Sequence, residues 1–282
     1  MRRDAQGGYA LVAAVACIAV FAAIALALVS AIRTATDDAS GELARLRAVA
    51  AADAGFALAV SRLMSPSAGG FWPADGRVHV LRYRDARIEV RCEDERGKVP
   101  LNGLTEAVAT RLLEAAGLDG DRLLIARDSV LDWEDDDEQP RPFGAERGYY
   151  AATGIAPANG PLQAIDELRR VRGFDAGTID RLRALATVYV APEAFDPRVA
   201  SPTALTVMEA AGGKAAVAAI DRARERSGQR TAIAFTDISE RVGRPVSLRV
   251  EAELRDGARA VRRNVVILTG EATMPYIVVA AD

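Results

Sequence analysis

A single histidine, two cysteines and an aromatic content of 5% leave this 282-residue chain short of the groups that most chemistry needs. The one histidine, His79, excludes multi-histidine metal sites, and it lies in an alternating, strand-like stretch that reads as a surface or sheet position. Cys17 sits in an apolar N-terminal run and Cys92 far away in a charged segment, so no disulfide framework is expected. There is no Ser-centred nucleophile elbow, and Gly213-Lys214 lacks the earlier glycine of a phosphate loop, Met208 standing there. Asp132 and Glu146 form a conceivable carboxylate pair, but nothing marks one as proton donor and the other as base. No enzyme is expected. A formal net charge of −3 also argues against nucleic acid as the main partner.

What is present begins at the N-terminus. No charged side chain occurs from Ala5 to Ile32. As a helix, Tyr9 to Ile32 is about 36 Å long, enough to span a bilayer. Arg2 and Arg3 precede it and Asp37, Asp38 and Glu42 follow, which places the short leader in the cytoplasm and the rest outside. The run is too long for the apolar core of a cleaved signal, despite Val29-Ser30-Ala31. Too few apolar residues precede Cys17 for Ala14-Val15-Ala16-Cys17 to serve as a lipoprotein box. The junction Gly7-Gly8-Tyr9 resembles the cleavage site of type IV prepilins and pseudopilins, which implies a cut after Gly8 and a mature chain starting at N-methylated Tyr9. The fifth mature residue, usually Glu in that class, is Ala13.

Beyond the span, Leu43, Leu46, Ala50, Ala57, Leu58, Val60, Leu63 and Met64 fall near one helical stripe, ended by Ser65-Pro66 and Gly69-Gly70. Residues 9–65 are therefore expected to form one helix, 9–32 in lipid and 33–65 packed on a head. Alternation over Arg77–Tyr83 and Arg87–Cys92 around Asp85-Ala86 predicts a β-hairpin in the first part of that head, 66–99. Val246–Ala252, Val261–Leu268 and Tyr276–Val279 predict further strands within 227–282. Between them, 100–226 carries helical candidates at Thr105–Ala116, Asp121–Trp133, Pro161–Val171, Thr178–Leu185, Thr203–Ala211 and Lys214–Arg224. The expected fold is α+β: a long N-terminal helix packed on an antiparallel sheet, with a large all-α insertion between strands.

Two motifs in the insertion carry chemistry. In Asp132-Trp133-Glu134-Asp135-Asp136-Asp137-Glu138, followed by Gly144-Ala145-Glu146, carboxylates on a loop pinned by Pro and Gly suit a hard cation such as calcium. The spacing is not that of an EF-hand. A solvated acidic turn is the competing reading, although Trp133 inside the run points to burial on one side. Pro161 to Asp175 followed by Thr178–Leu182 has the rhythm of a helix-hairpin-helix, a unit that can grip DNA phosphates. Residues 100–226 carry 21 acidic against 15 basic side chains, the wrong sign for DNA, so packing or partner recognition is the better reading.

In order along the chain, Gly8-Tyr9 with its helix, Asp94-Glu95-Arg96-Gly97-Lys98-Val99 before Leu101-Asn102, Asp132-Trp133 with Asp135 and Asp137, Gly144-Ala145-Glu146, Tyr149-Tyr150, and Asn159-Gly160-Pro161 through Val171-Arg172-Gly173-Phe174 together resemble the type II secretion minor pseudopilin K family. The resemblance implies a single-pass protein of the bacterial inner membrane, its leader cytoplasmic and its head periplasmic, that caps and helps nucleate the secretion pseudopilus. Implied partners are minor pseudopilins of the I, J and H types, the inner-membrane secretion platform and prepilin peptidase. It implies calcium in the insertion, held by Asp132, Asp135, Asp137 and Glu146, with Asp136 and Glu138 nearby. Ala13 accords with the family. A DNA-binding competence-like protein and an adhesive type IV minor pilin are the alternatives.

Overall fold

The computed structural model describes residues 5–65, 70–151, 154–208 and 240–281. The helix expected over Lys214–Arg224, the end of the one over Thr203–Ala211 and the start of the leader lie outside these residues. A single helix, α1, runs Ala5–Leu63. No proline occurs before Pro66 and alanine dominates, so nothing interrupts it. From Val12 to Ile32 its large apolar side chains stay 46–73% exposed on every side. It is the one helix among the described residues long and apolar enough to cross a membrane.

The sheet carried by α1 has five strands: β1 (Asp75–Tyr83), β2 (Ala86–Asp94), β5 (Pro245–Glu253), β6 (Arg259–Leu268) and β7 (Tyr276–Ala281). They lie in the order β1-β2-β5-β6-β7, antiparallel throughout. The β1–β2 turn falls at Arg84-Asp85, one residue earlier than expected; Arg84 takes a left-handed conformation with φ 57°. Alternation sorts the faces as the sequence requires. Ile88, Val90, Cys92, Leu248, Val250 and Val266 are buried against α1, while Arg91, Arg249 and Arg263 sit in register on the opposite face.

The sheet-facing stripe of α1 keeps Val60 and Leu63 of the expected one, with Met64 packed beside them, but is otherwise made of smaller side chains. It is built from Ala48, Ala51, Ala52, Ala59, Val60 and Leu63, whereas Leu43 and Leu46 are about half exposed and Ala50 and Ala57 point outward. The reason is steric: alanines let the helix axis approach the sheet closely, which bulkier leucines would prevent. Gly55 marks the closest approach, since a Cβ there would lie 2.8 Å from Ile88 Cγ2 and Val250 Cγ1. At the C-terminal end of α1 the buried Arg241 donates to the Leu63 carbonyl at 2.5 Å and lies 3.9 Å from the centre of the Phe71 ring. A cation there satisfies an orphan carbonyl and complements the helix dipole.

The insertion leaves the sheet after β2 and returns before β5, two strands that pair directly. It contains α2 (Glu106–Ala115), α3 (Gly120–Glu134), α4 (Arg147–Tyr150), α5 (Ala176–Leu185) and α6 (Pro202–Met208). Two short strands, β3 (Val99–Pro100) and β4 (Ala186–Thr187), pair in parallel. It has its own core, including Val99, Leu112, Trp133, Tyr150, Leu168, Ile179, Leu182 and Leu205, separate from the core between α1 and the sheet. Pro161–Val171 is not the expected α-helix. It forms one short 3₁₀ turn, Ile165–Arg169, because the Glu167 carboxylate accepts from the backbone N–H groups of Gln163 and Ala164 and ties the start of the segment down.

Candidate metal centre

The last turns of α3 organise the acidic loop. Asp128 and Asp132 are four residues apart, so both project from one face of the helix, and both are buried. Asp128 Oδ2 accepts from the Phe143 backbone N–H at 3.1 Å, and its Oδ1 accepts from Arg127 Nε at 2.7 Å. Asp132 accepts from the Arg141 backbone N–H and from Arg141 Nη1, the latter at 2.5 Å. The two aspartates thus fold residues 135–146 back over the helix. Gly144 lies so near Asp132 that a Cβ there would come 1.8 Å from Oδ2, a space only glycine leaves open. Arg172 Nη1 donates to the Gly144 carbonyl at 3.0 Å, and its guanidinium lies 4.7 Å from the centre of the Tyr149 ring.

Three carboxylates converge in this fold-back: Asp135, Asp137 and Glu146 each offer an oxygen within 4.8 Å of the others. Glu146 is 5% exposed, and neither of its oxygens has a hydrogen-bond partner; Asp135 Oδ1 and Asn159 Oδ1 are likewise buried and unpartnered. Buried acceptors left this way are costly. Asp137 is fixed by accepting from the Gln139 N–H at 2.7 Å, and Asn159 Nδ2 donates to the Asp137 carbonyl at 3.1 Å. Of the four metal-site residues expected from the sequence, three meet here. Asp132 stands behind them with its oxygens directed at Arg141. Asp136 is exposed, and Glu138 pairs with Arg147 at 2.8 Å. The sequence motifs assign no role at this site to Arg141 or Asn159; for Asn159 the Asn-Gly dipeptide is a turn signal, and it takes φ 43°.

Free carboxylate oxygens in a partly desolvated cluster suit a hard divalent cation that prefers oxygen ligands, so the residues fit calcium. Burial, together with the charges of Asp132, Asp135, Glu138 and Asp137, pushes the Glu146 carboxyl up to about 7. Burial raises Glu134 to about 7 as well, against the lowering effect of the Gly103 N–H. An acid raised on folding keeps its proton in the folded state over a range where the unfolded chain has already lost it, so stability falls as pH rises from 4.5 to about 7. In chelator, the melting temperature is expected to be higher near about pH 5 than near about pH 8, and Glu146→Gln should flatten that slope. Thermal melts across pH check it, and a slope of opposite sign would contradict it.

The helix-hairpin-helix rhythm resolves into packing. Gly173, at φ 93°, turns the chain so close to α3 that a Cβ would lie 2.9 Å from the Ala126 backbone. Asp175 then caps α5, accepting from the Thr178 N–H at 2.7 Å.

A long helix with an apolar N-terminal half, laid across an antiparallel sheet and carrying a helical insertion, defines the class: a pilin-like fold. Residues 94–192 match the family described as Type II secretion system (T2SS), protein K. The chain is 40% identical over 97 residues to the Type II secretion system protein K of Klebsiella pneumoniae; the matched stretch spans 34% of this chain and 29% of that relative's length. The fold is also similar, at TM-score 0.54 and 16% identity, to a chain in the crystal structure of the GspK-GspI-GspJ complex from the Type 2 Secretion System of enterotoxigenic Escherichia coli. That likeness covers 88% of this chain and 98% of the other.

Proposed function

We propose that this protein is a minor pseudopilin that sits at the tip of a type II secretion pseudopilus, where it helps nucleate and cap the filament and has a structural rather than catalytic part. The observation that carries this reading is the protein K unit inserted between β2 and β5 of a pilin-like sheet. A domain-sized insertion at that place obstructs a further subunit from stacking above it. Ala13 removes the carboxylate that would neutralise a neighbour's terminal amine in a low-dielectric helix bundle. Small side chains along the apolar half of α1 allow close helix approach to partner anchors.

The partners in this reading are minor pseudopilins of the I, J and H types, the inner-membrane platform and a prepilin peptidase that cuts between Gly8 and Tyr9. The anchor lies in the inner membrane with the leader cytoplasmic and the head periplasmic. In a strain lacking this chain, exoprotein secretion is expected to stop and to return with the wild-type gene. The membrane form should begin at Tyr9 by mass spectrometry. Undiminished secretion in the deletion strain, or an intact leader, would overturn the reading.

Calcium in the insertion is held, in this proposal, by Asp135, Asp137 and Glu146, with Asp132 as support. Bound, the ion supplies positive charge to a cluster that otherwise raises the Glu146 carboxyl to about 7. Calcium at 100 times its Kd should stabilise the fold by about 2.7 kcal/mol, a rise of several degrees in melting temperature. Glu146→Gln should abolish the rise. No shift at millimolar calcium would remove the ion from the account.

A further inference from the structure

Arg141 is the group in the acidic loop that no carboxylate chemistry requires. Its Nη1 lies 2.5 Å from Asp132 Oδ1 and 2.6 Å from Asp135 Oδ2, bridging two carboxylates on different parts of the fold-back. Its own backbone N–H holds Asp132 at 3.2 Å. Asp132 is fully buried and pressed against Gly144, so Arg141 accounts for the charge compensation it receives. The guanidinium takes one oxygen of Asp135 and leaves the other, Oδ1, buried and unpartnered like both oxygens of Glu146.

We propose that Arg141 is a built-in counter-cation of this site: it keeps the loop folded without an ion, withdraws Asp132 and one Asp135 oxygen from coordination, and sets the calcium affinity low. The inference rests on the calcium reading above. Two opposing effects decide the sign. By holding Asp135, Arg141 orients a ligand, and loss of such outer-sphere support typically weakens metal binding about 10- to 100-fold. By its charge, it repels a dication one carboxylate away. In a part-buried site two unit charges about 4 Å apart alter an equilibrium constant by roughly a thousandfold, and a dication strengthens the effect. Repulsion wins, even after solvent screening of the half-exposed guanidinium, and Asp132 becomes available as an additional ligand when Arg141 is gone.

The experiment uses the full chain in detergent, stripped of metal, with calcium binding measured by calorimetry and melting followed with and without chelator. Arg141→Gln is expected to bind calcium at least about tenfold more tightly than wild type and to melt several degrees lower in chelator. Arg141→Lys keeps the charge and is expected to stay within about threefold of wild-type affinity. If Arg141→Gln folds only when calcium is present, unfolding on addition of chelator supports the proposal directly. Wild-type binding with equal or weaker binding by Arg141→Gln overturns the role of Arg141 and leaves the calcium reading standing. Absence of calcium binding in all three proteins overturns both.

Discussion

Replacing Arg244 with methionine is expected to cost about 3 kcal/mol of stability, the largest loss from any single side chain at the junction of sheet and insertion. Arg244 stands just before β5 and is 4% exposed. Its Nε lies 2.5 Å from Asp94 Oδ2, where the chain leaves β2, and its Nη2 lies 3.0 Å from Asp196 Oδ2, deep in the insertion. Both carboxylates are buried. Asp94 is held above the usual carboxylate range by burial even with the guanidinium beside it. Without Arg244, Asp94 keeps the Arg96 backbone N–H, at 2.9 Å, while Asp196 retains Arg198. The loss comes from a carboxylate left without its counter-charge in a dry site rather than from the absent attraction alone. Asp94→Asn combined with Arg244→Met should therefore be less destabilised than Arg244→Met by itself. Denaturant unfolding of the three proteins tests this, and a loss below about 1 kcal/mol for Arg244→Met would contradict it.

Gly55→Leu is expected to cost a similar amount, about 3 kcal/mol, by forcing α1 off the sheet. The atoms a side chain would meet are branch methyls of Ile88 and Val250, both fully buried on neighbouring central strands, and neither can rotate away. Gly55→Ala should cost less, since one methyl displaces the helix less than a leucine side chain does, although its Cβ still meets both methyls at 2.8 Å. Both variants leave the insertion core untouched, because that core is built from other residues. Loss of protection from hydrogen exchange should accordingly be confined to α1 and the sheet; a loss spread equally over α2, α3 and α5 would show that the two cores unfold as one.

The parts of this molecule that were legible in its sequence are those set by periodicity. Strict alternation gave β2 and β5 their faces, and an uncharged run gave α1 its membrane half, because each pattern has one geometrical solution. In the packed half of α1, periodicity places Val60 and Leu63 at the sheet, as observed, but not Ala48, Ala52, Gly55 and Ala59, because close packing selects small side chains that carry little hydrophobic signal. The two-residue pairing of Val99–Pro100 with Ala186–Thr187 had no readable period, and its partners lie far apart in sequence. At the acidic loop, composition located the cluster but not the division of labour within it. Asp132 is four residues after Asp128 on a buried helix face, a relation visible once α3 is drawn to its end at Glu134. That Arg141 returns to Asp132 depends on the loop path, which Asp128, Phe143 and Gly144 decide together.

The measurement that bears most directly on the proposed function is co-purification of the full-length chain from detergent-solubilised membranes with candidate minor pseudopilins of the I, J and H types. A stable complex containing the I- and J-type subunits, lost when the protein K unit within residues 94–192 is removed, is the expected result. Recovery of the intact chain alone under conditions where those subunits still associate with each other would contradict it.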